Sequence, residues 1–289
     1  MRRPVRRPYA RVALALASIA FIGATPAVVR RHSSAQAARA ARAARPAHAA
    51  LATGYHGSRP AGALAPKQTI VAVGDSITKG DYDSAVKGGW VARLAAKLHG
   101  AYPETTFDVR NAGVDGDTTA GVLKRASRDV LAAHPRLVII SIGTNDFDVD
   151  VSPAAYKVQL NTLITTMQTG PSIPTIVLAS MLPIAGQTPR RLTAERAYND
   201  IIRQSARASN VGYLDLFDPW LALGHTYLHL LRHDTEHPNP IGYELLASTT
   251  AAFLEAGYLD GHGRVMAPVK APTCAIVCDT APVTPTGTG

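Results

Sequence analysis

The chain has 289 residues, 46% hydrophobic and 18% charged, which is enough apolar side chain for a substantial core and too little charge for a disordered polyelectrolyte. Its formal charge of +9 and pI near 9.8 would suit a nucleic-acid binder, but eleven arginines, no lysine and no acid fall in the first 60 residues, leaving 19 basic against 21 acidic residues in the rest. A near-neutral body has no field to draw in a phosphate backbone, so a nucleic-acid partner is excluded.

At the N-terminus an Arg-rich stretch ending at Arg11 precedes an apolar run over residues 12–22, and Gly23, Ala24 and Ala27 follow around Pro26. That order is a secretory signal peptide over residues 1–29, and it predicts a secreted or periplasmic protein with no stable membrane partner after cleavage. An uncleaved N-terminal anchor reaching Val29 is the alternative, although Ser18, Gly23 and Pro26 interrupt that run. Arg2-Arg3 and Arg6-Arg7 are each followed by proline, which does not fit a twin-arginine signal. Residues 30–66 are Ala, Arg, Gly, Pro and Ser with almost no large apolar side chain, so they read as a disordered linker. Residues 261–289 read as a Pro/Thr-rich tail carrying Cys274 and Cys278, the only cysteines, which could pair outside the cytoplasm. One domain over residues 67–260 remains.

Within it short β-rich runs alternate with amphipathic ones. A strand at 69–73 leads into Gly74-Asp75-Ser76-Ile77-Thr78, and a helix at 90–98 follows. A second strand at 106–110 leads into Asn111-Ala112-Gly113 and Val114-Asp115-Gly116-Asp117, then a helix at 118–133. The third strand, 137–142, leads into Gly143-Thr144-Asn145-Asp146 and a helix at 153–167. Strands at 175–180 and 211–216 flank a helix at 192–208, and Asp234-Thr235-Glu236-His237-Pro238-Asn239 stands before a last helix at 241–256. This alternation predicts a three-layer α/β/α sandwich around a five-stranded, mostly parallel sheet.

Ligands of such sheets bind beyond the carboxyl ends of the strands, where these four short motifs lie. Each alone is ordinary turn or cap chemistry. Together they contain a hydroxyl nucleophile, an imidazole with a carboxylate three residues before it, and donors for an oxyanion, which are the requirements of acyl transfer.

The four blocks, in this order, resemble the SGNH hydrolases, also called GDSL esterases and lipases, over Gly74 to about Asn239. The resemblance implies a flavodoxin-like sheet in the order 2-1-3-4-5. It also implies a serine esterase in which Ser76 attacks the carbonyl, His237 carries the proton and Asp234 orients His237. The oxyanion hole would be the Ser76 and Gly113 backbone N–H groups and the Asn145 amide. No cofactor or metal is implied, and the substrate is a small-molecule or saccharide ester with a short acyl or acetyl group.

An ordinary α/β-hydrolase elbow would need glycine where Thr78 stands. A zinc hydrolase is the sharper rival, since His233-Asp234-Thr235-Glu236-His237 has the pattern H-x-x-E-H and His225, His229, His233 and His237 recur every four residues. Pro238 and Pro240 would break the helix that such ligands need. The upstream histidines are expected to be partly buried. A non-catalytic carbohydrate- or surface-binding module on the same scaffold is the remaining alternative. Asp81, Asp83, Asp115, Asp117, Asp146, Asp148 and Asp150 in the turns suggest a negative rim that favours neutral esters, and Met181-Leu182-Pro183-Ile184-Ala185 an apolar wall for a short acyl group.

Overall fold

A computed structural model describes residues 67–169, 172–186 and 188–266. The expected signal peptide, the linker, Cys274 and Cys278 lie outside these residues. Among the described residues no helix is long and apolar enough to cross a membrane.

Five parallel strands, β1 Gln68–Gly74, β2 Phe107–Gly113, β3 Leu137–Ser141, β4 Thr175–Ala179 and β5 Gly212–Leu214, form one sheet in the order β2-β1-β3-β4-β5. The inner strands are apolar without alternation because both faces are covered. In β1, Ile70 and Ala72 join one core while Val71 and Val73 join the other; Leu137 and Ile139 divide from Val138 and Ile140 in the same way. Trp90 and Leu94 of α2 (Gly89–Ala101) and Tyr243 and Leu246 of α8 (Pro240–Gly257) fill the first core. Val122 of α3 (Thr119–Asp129), Tyr156 and Leu160 of α5 (Pro153–Gln168) and Ile202 of α6 (Pro189–Ala208) fill the second. Each large side chain so buried contributes about 1.5–3 kcal/mol relative to exposure.

Three of these helices begin at a polar cap followed by proline: Ser152-Pro153, Thr188-Pro189 and Asn239-Pro240. The cap side chain accepts a free N–H of the first turn, and proline, with none to offer, takes the first helical position. For this reason α6 and α8 start before their apolar periodicity does. One-turn helices α1 (Ser76–Lys79), α4 (Thr144–Asp148) and α7 (Phe217–Leu221) complete the set.

The folded unit extends past the expected boundary at Asp260. Leu259 and Val265 pair as an antiparallel bridge and are both buried; Val265 N–H donates to Gln68 Oε1 at 3.0 Å, and Thr175 Oγ1 donates to Met266 O at 3.0 Å. Burial of Val265 and these bonds to Gln68 of β1 and Thr175 of β4 fasten this strap to the domain.

Candidate active site

The carboxyl end of β1 meets the start of α1 at Gly74. Asp75 caps that turn, its Oδ1 accepting Ile77 N–H at 3.0 Å, and Gly80, at φ +77°, ends it. Ser76, first residue of a helix, has a backbone N–H with no intrahelical acceptor. Its Oγ lies 2.8 Å from His237 Nε2, and His237 Nδ1 lies 3.2 Å from Asp234 Oδ2. Asp234 Oδ1 meanwhile accepts the N–H groups of Glu236, at 3.1 Å, and His237, at 3.0 Å. Burial works to raise the Asp234 pKa, but these backbone donors and the imidazole outweigh it and hold the carboxyl below its usual range. The loop carrying these residues is closed on itself: Arg232 N–H donates to His237 O at 2.8 Å, Leu231 bridges Pro238, and Asn239 N–H donates to Leu230 O at 2.8 Å before capping α8.

Asn145 stands in the first turn of α4, and one of its amide hydrogens goes to Asp117 O at 2.9 Å. The other has no acceptor among the described residues. The next residue, Asp146, is fully buried and accepts both Thr119 N–H, at 2.9 Å, and Thr119 Oγ1, at 3.1 Å, which locks α4 to the start of α3.

Gly113 does not match its expected role. The second strand does not stop at Arg110: the ladder continues to the pair Gly74–Gly113, and the Gly113 N–H donates to Asn111 Oδ1 at 2.9 Å. That N–H is spent inside the strand. A side chain here would put Cβ 2.2 Å from Lys79 N, so the glycine permits α1 to lie against β2. The turn beyond is residues 114–117, closed by Asp117 N–H to Val114 O at 3.2 Å, with Gly116 at φ +69° and open space where a Cβ would stand.

Several groups that sequence patterns did not mark hold this geometry. Arg125, 8% exposed, reaches from α3 to Asp117 Oδ2 at 2.7 Å, Ala112 O at 2.7 Å and Gly74 O at 3.0 Å, tying the ends of β1 and β2 to the 114–117 turn. Met181 N–H donates to Asn199 Oδ1 at 2.8 Å and Ile184 N–H to Glu195 Oε1 at 3.1 Å, tying the segment after β4 to α6, and Ala185 N–H donates to Thr235 O at 2.8 Å, tying it to the histidine loop. Met181 and Leu182 are buried beside a small cavity that also touches Asp75 and Ser141, so of the expected apolar wall only Ile184 and Ala185 are partly exposed.

Much of the expected negative rim is neutralised by basic side chains of the flanking helices. Lys79 pairs with Asp81 at 2.6 Å and Asp115 at 2.7 Å, Arg93 with the buried Asp83 at 2.8 Å, Arg125 with Asp117, and Arg191 with Asp148. Asp146 and Asp150 have no ion pair among the described residues, and neither has Glu236: half-buried beside His237, its carboxylate also has no hydrogen bond among them, and burial raises its pKa. Asp75 lies deeper. Burial pushes its carboxyl up to about 7, against the lowering effect of the Ile77 N–H.

The histidine pattern does not assemble a metal site. His225 and His229 lie in a 3₁₀ segment, Gly224–Leu230, where a spacing of four does not stack side chains. Contrary to expectation these two and His233 are exposed, and both ring nitrogens of His237 are engaged, by Ser76 and Asp234.

A family profile described as the GDSL-like lipase/acylhydrolase family matches residues 72–245. An acetylxylan esterase from Geobacillus stearothermophilus is 29% identical over 202 residues, covering 62% of this chain and 90% of that protein. A crystal structure of an acetylxylan esterase from the same organism superposes with a TM-score of 0.58 at 26% identity, covering 66% of this chain and 94% of that one. For a lipase/acylhydrolase from Enterococcus faecalis the TM-score is 0.57 at 28% identity, covering 65% and 96%. An uncharacterized lipoprotein from Bacillus subtilis is 36% identical over 85 residues, 27% of this chain and 32% of that protein. The chain belongs to the GDSL-like lipase/acylhydrolase family, the SGNH hydrolases, and is a carboxylic ester hydrolase.

Proposed function

We propose that the protein is an exported serine esterase that removes short acyl groups, acetyl above all, from hydroxylated substrates such as saccharides. The observation that carries this reading is the contact of Ser76 Oγ with His237 Nε2 at 2.8 Å, with Asp234 behind the imidazole. Ser76 Oγ attacks the ester carbonyl while its proton passes to Nε2, forming a tetrahedral oxyanion. Collapse expels the alcohol, which takes that proton, and leaves an acyl-serine. Water attacks the acyl carbon in a second cycle, giving its proton to His237, and the carboxylic acid departs with Ser76 restored. Asp234, kept ionised, holds the ring and offsets the imidazolium charge.

We assign the oxyanion donors as the Ser76 N–H, the Asn145 amide and the Gly116 N–H in place of Gly113. Gly116 is favoured because it lies in the turn to which the Asn145 amide is anchored and because its N–H has no acceptor among the described residues. An acetyl preference is supported by the acetylxylan esterase relative and by the narrow apolar surface left at Ile184 and Ala185. Export is supported by the N-terminal pattern and by the lipoprotein relative.

The test compares p-nitrophenyl esters of rising chain length and acetylated xylo-oligosaccharides as substrates of the full chain. Acetyl esters should turn over fastest, Ser76→Ala and His237→Ala should each abolish nearly all activity, and EDTA should have no effect. Near-normal rates for Ser76→Ala, or loss of activity with EDTA, would contradict the mechanism; a preference for long acyl chains would contradict the substrate class.

A further inference from the structure

Tyr82 lies in the loop after α1, far in sequence from the histidine, yet its ring stands 3.9 Å from the His237 ring, centroid to centroid, at 34° between planes. The same tyrosine ring carries the Arg232 guanidinium 4.8 Å from its centroid. The loop that presents Tyr82 is braced on both sides. Before it, Lys79 holds Asp81; after it, the buried Asp83 accepts Ala85 N–H at 2.9 Å, Val86 N–H at 3.1 Å and Arg93 Nε at 2.8 Å. Arg232 is fixed as well, its N–H on His237 O and its Nε 3.8 Å from Asp234 Oδ2.

Resting on the reading of Ser76 as nucleophile and His237 as base, we propose that Tyr82 and Arg232 are positioning residues that set the catalytic imidazole between two opposing influences. Tyr82 lies against the ring and keeps Nε2 aimed at Ser76. An aromatic face also attracts positive charge, so the tyrosine favours the imidazolium formed when Ser76 gives up its proton. Arg232 acts in the opposite sense: it is a permanent cation on the same tyrosine, and it lies within reach of the Asp234 carboxylate that must balance the imidazolium. Asp234 and Glu236 on the histidine's own loop, Asp148 beyond Glu236, Asp75 at the cap of α1 and Tyr243 of α8 also surround this region and are unchanged in the variants.

The experiment follows the His237 ring resonance through a pH titration by NMR in the full chain, identified by its loss in His237→Gln. Tyr82→Leu should move the midpoint down by about half a pH unit, the size of a partly exposed cation–π contact, and Arg232→Met should move it up by about as much. In steady-state assays Tyr82→Leu should lower kcat roughly tenfold, with KM for p-nitrophenyl acetate changed less than about twofold, while Tyr82→Phe stays within about twofold of the parent. A structural role alone would not move the two midpoints in opposite directions. Shifts of the same sign, no shift, or a Tyr82→Phe protein as impaired as Tyr82→Leu would overturn the proposal. Should Tyr82→Leu fail to fold, the Arg232→Met midpoint decides, an unchanged value overturning it. The ring titration needs no turnover, so failure of the esterase reading would show separately, as ester hydrolysis that survives Ser76→Ala.

Discussion

Replacing Arg125 with methionine removes a cation that is 9% exposed from a carboxylate, Asp117, that is 11% exposed. Methionine keeps much of the side-chain volume, so the change is mainly electrostatic. Asp117 then lies in a poorly hydrated pocket with no counter-charge, and Ala112 O and Gly74 O each lose the arginine's N–H, although Gly74 O keeps the Val114 N–H at 3.0 Å. Removing one partner of a buried pair costs about 3–5 kcal/mol, because the stranded charge bears the desolvation that the pair had offset. With a urea dependence of about 2.5 kcal/mol/M, a loss of about 4 kcal/mol lowers the unfolding midpoint by about 1.6 M. Far-UV circular dichroism of the full chain in urea measures it. Because Asp117 O anchors the Asn145 amide, displacement of that turn by about 1 Å should also cost up to about 10²-fold in kcat. Arg125→Met combined with Asp117→Leu should recover a large part of the stability, since no stranded carboxylate is left. A single variant whose midpoint stays within about 0.3 M of the parent would refute this account of the arginine.

Asn145→Ala should lower kcat by about 10²–10³ with a much smaller change in KM, measurable with p-nitrophenyl acetate, because a preorganised donor acts on charge that develops in the transition state. Asp75 has a native pKa, about 7, above its unfolded value, so the stability it contributes is full below about pH 4 and is lost as pH rises through 7. Asparagine keeps the acceptor for Ile77 N–H without the titration; urea midpoints should therefore show Asp75→Asn near the parent at pH 4 and more stable at pH 8, by up to about 1.4 kcal/mol per pH unit between the two pKa values. Gly113→Ala should fail to give folded protein, since its Cβ meets backbone at 2.2 Å, whereas Gly116→Ala, in open space at φ +69°, should fold with a loss of about 1 kcal/mol in thermal unfolding.

The parts legible in the sequence are those written locally. Strands buried on both faces appear as apolar runs, and the serine, asparagine and histidine motifs sit at strand or helix ends where the fold needs turn and cap residues anyway. The end of β2 was not legible, because it is set by pairing with Gly74, nearly forty residues away, while Asn111-Ala112-Gly113 on its own has the composition of a turn. With the strand ended early, Gly113 stood in the turn as the expected oxyanion donor, whereas the longer β2 leaves Gly116 in that turn, the donor we propose. The rim charges misled for a related reason: Asp83, Asp115 and Asp148 find their cations on other elements, and no local pattern reports such pairs. Tyr82 reaches His237 only through the fold, and nothing in the α3 sequence sets Arg125 apart from other helix arginines. The one-turn helices α1, α4 and α7 are too short for periodicity to mark.

The central claim is that Ser76 is the nucleophile and His237 its base. Incubating the full chain with a fluorophosphonate and mapping the adduct by peptide mass spectrometry tests it most directly. One phosphonyl group should appear, on Ser76, and His237→Ala should suppress its formation although Ser76 is still present. Ester turnover that persists without any adduct on Ser76, or an adduct at another residue that abolishes activity, would contradict it.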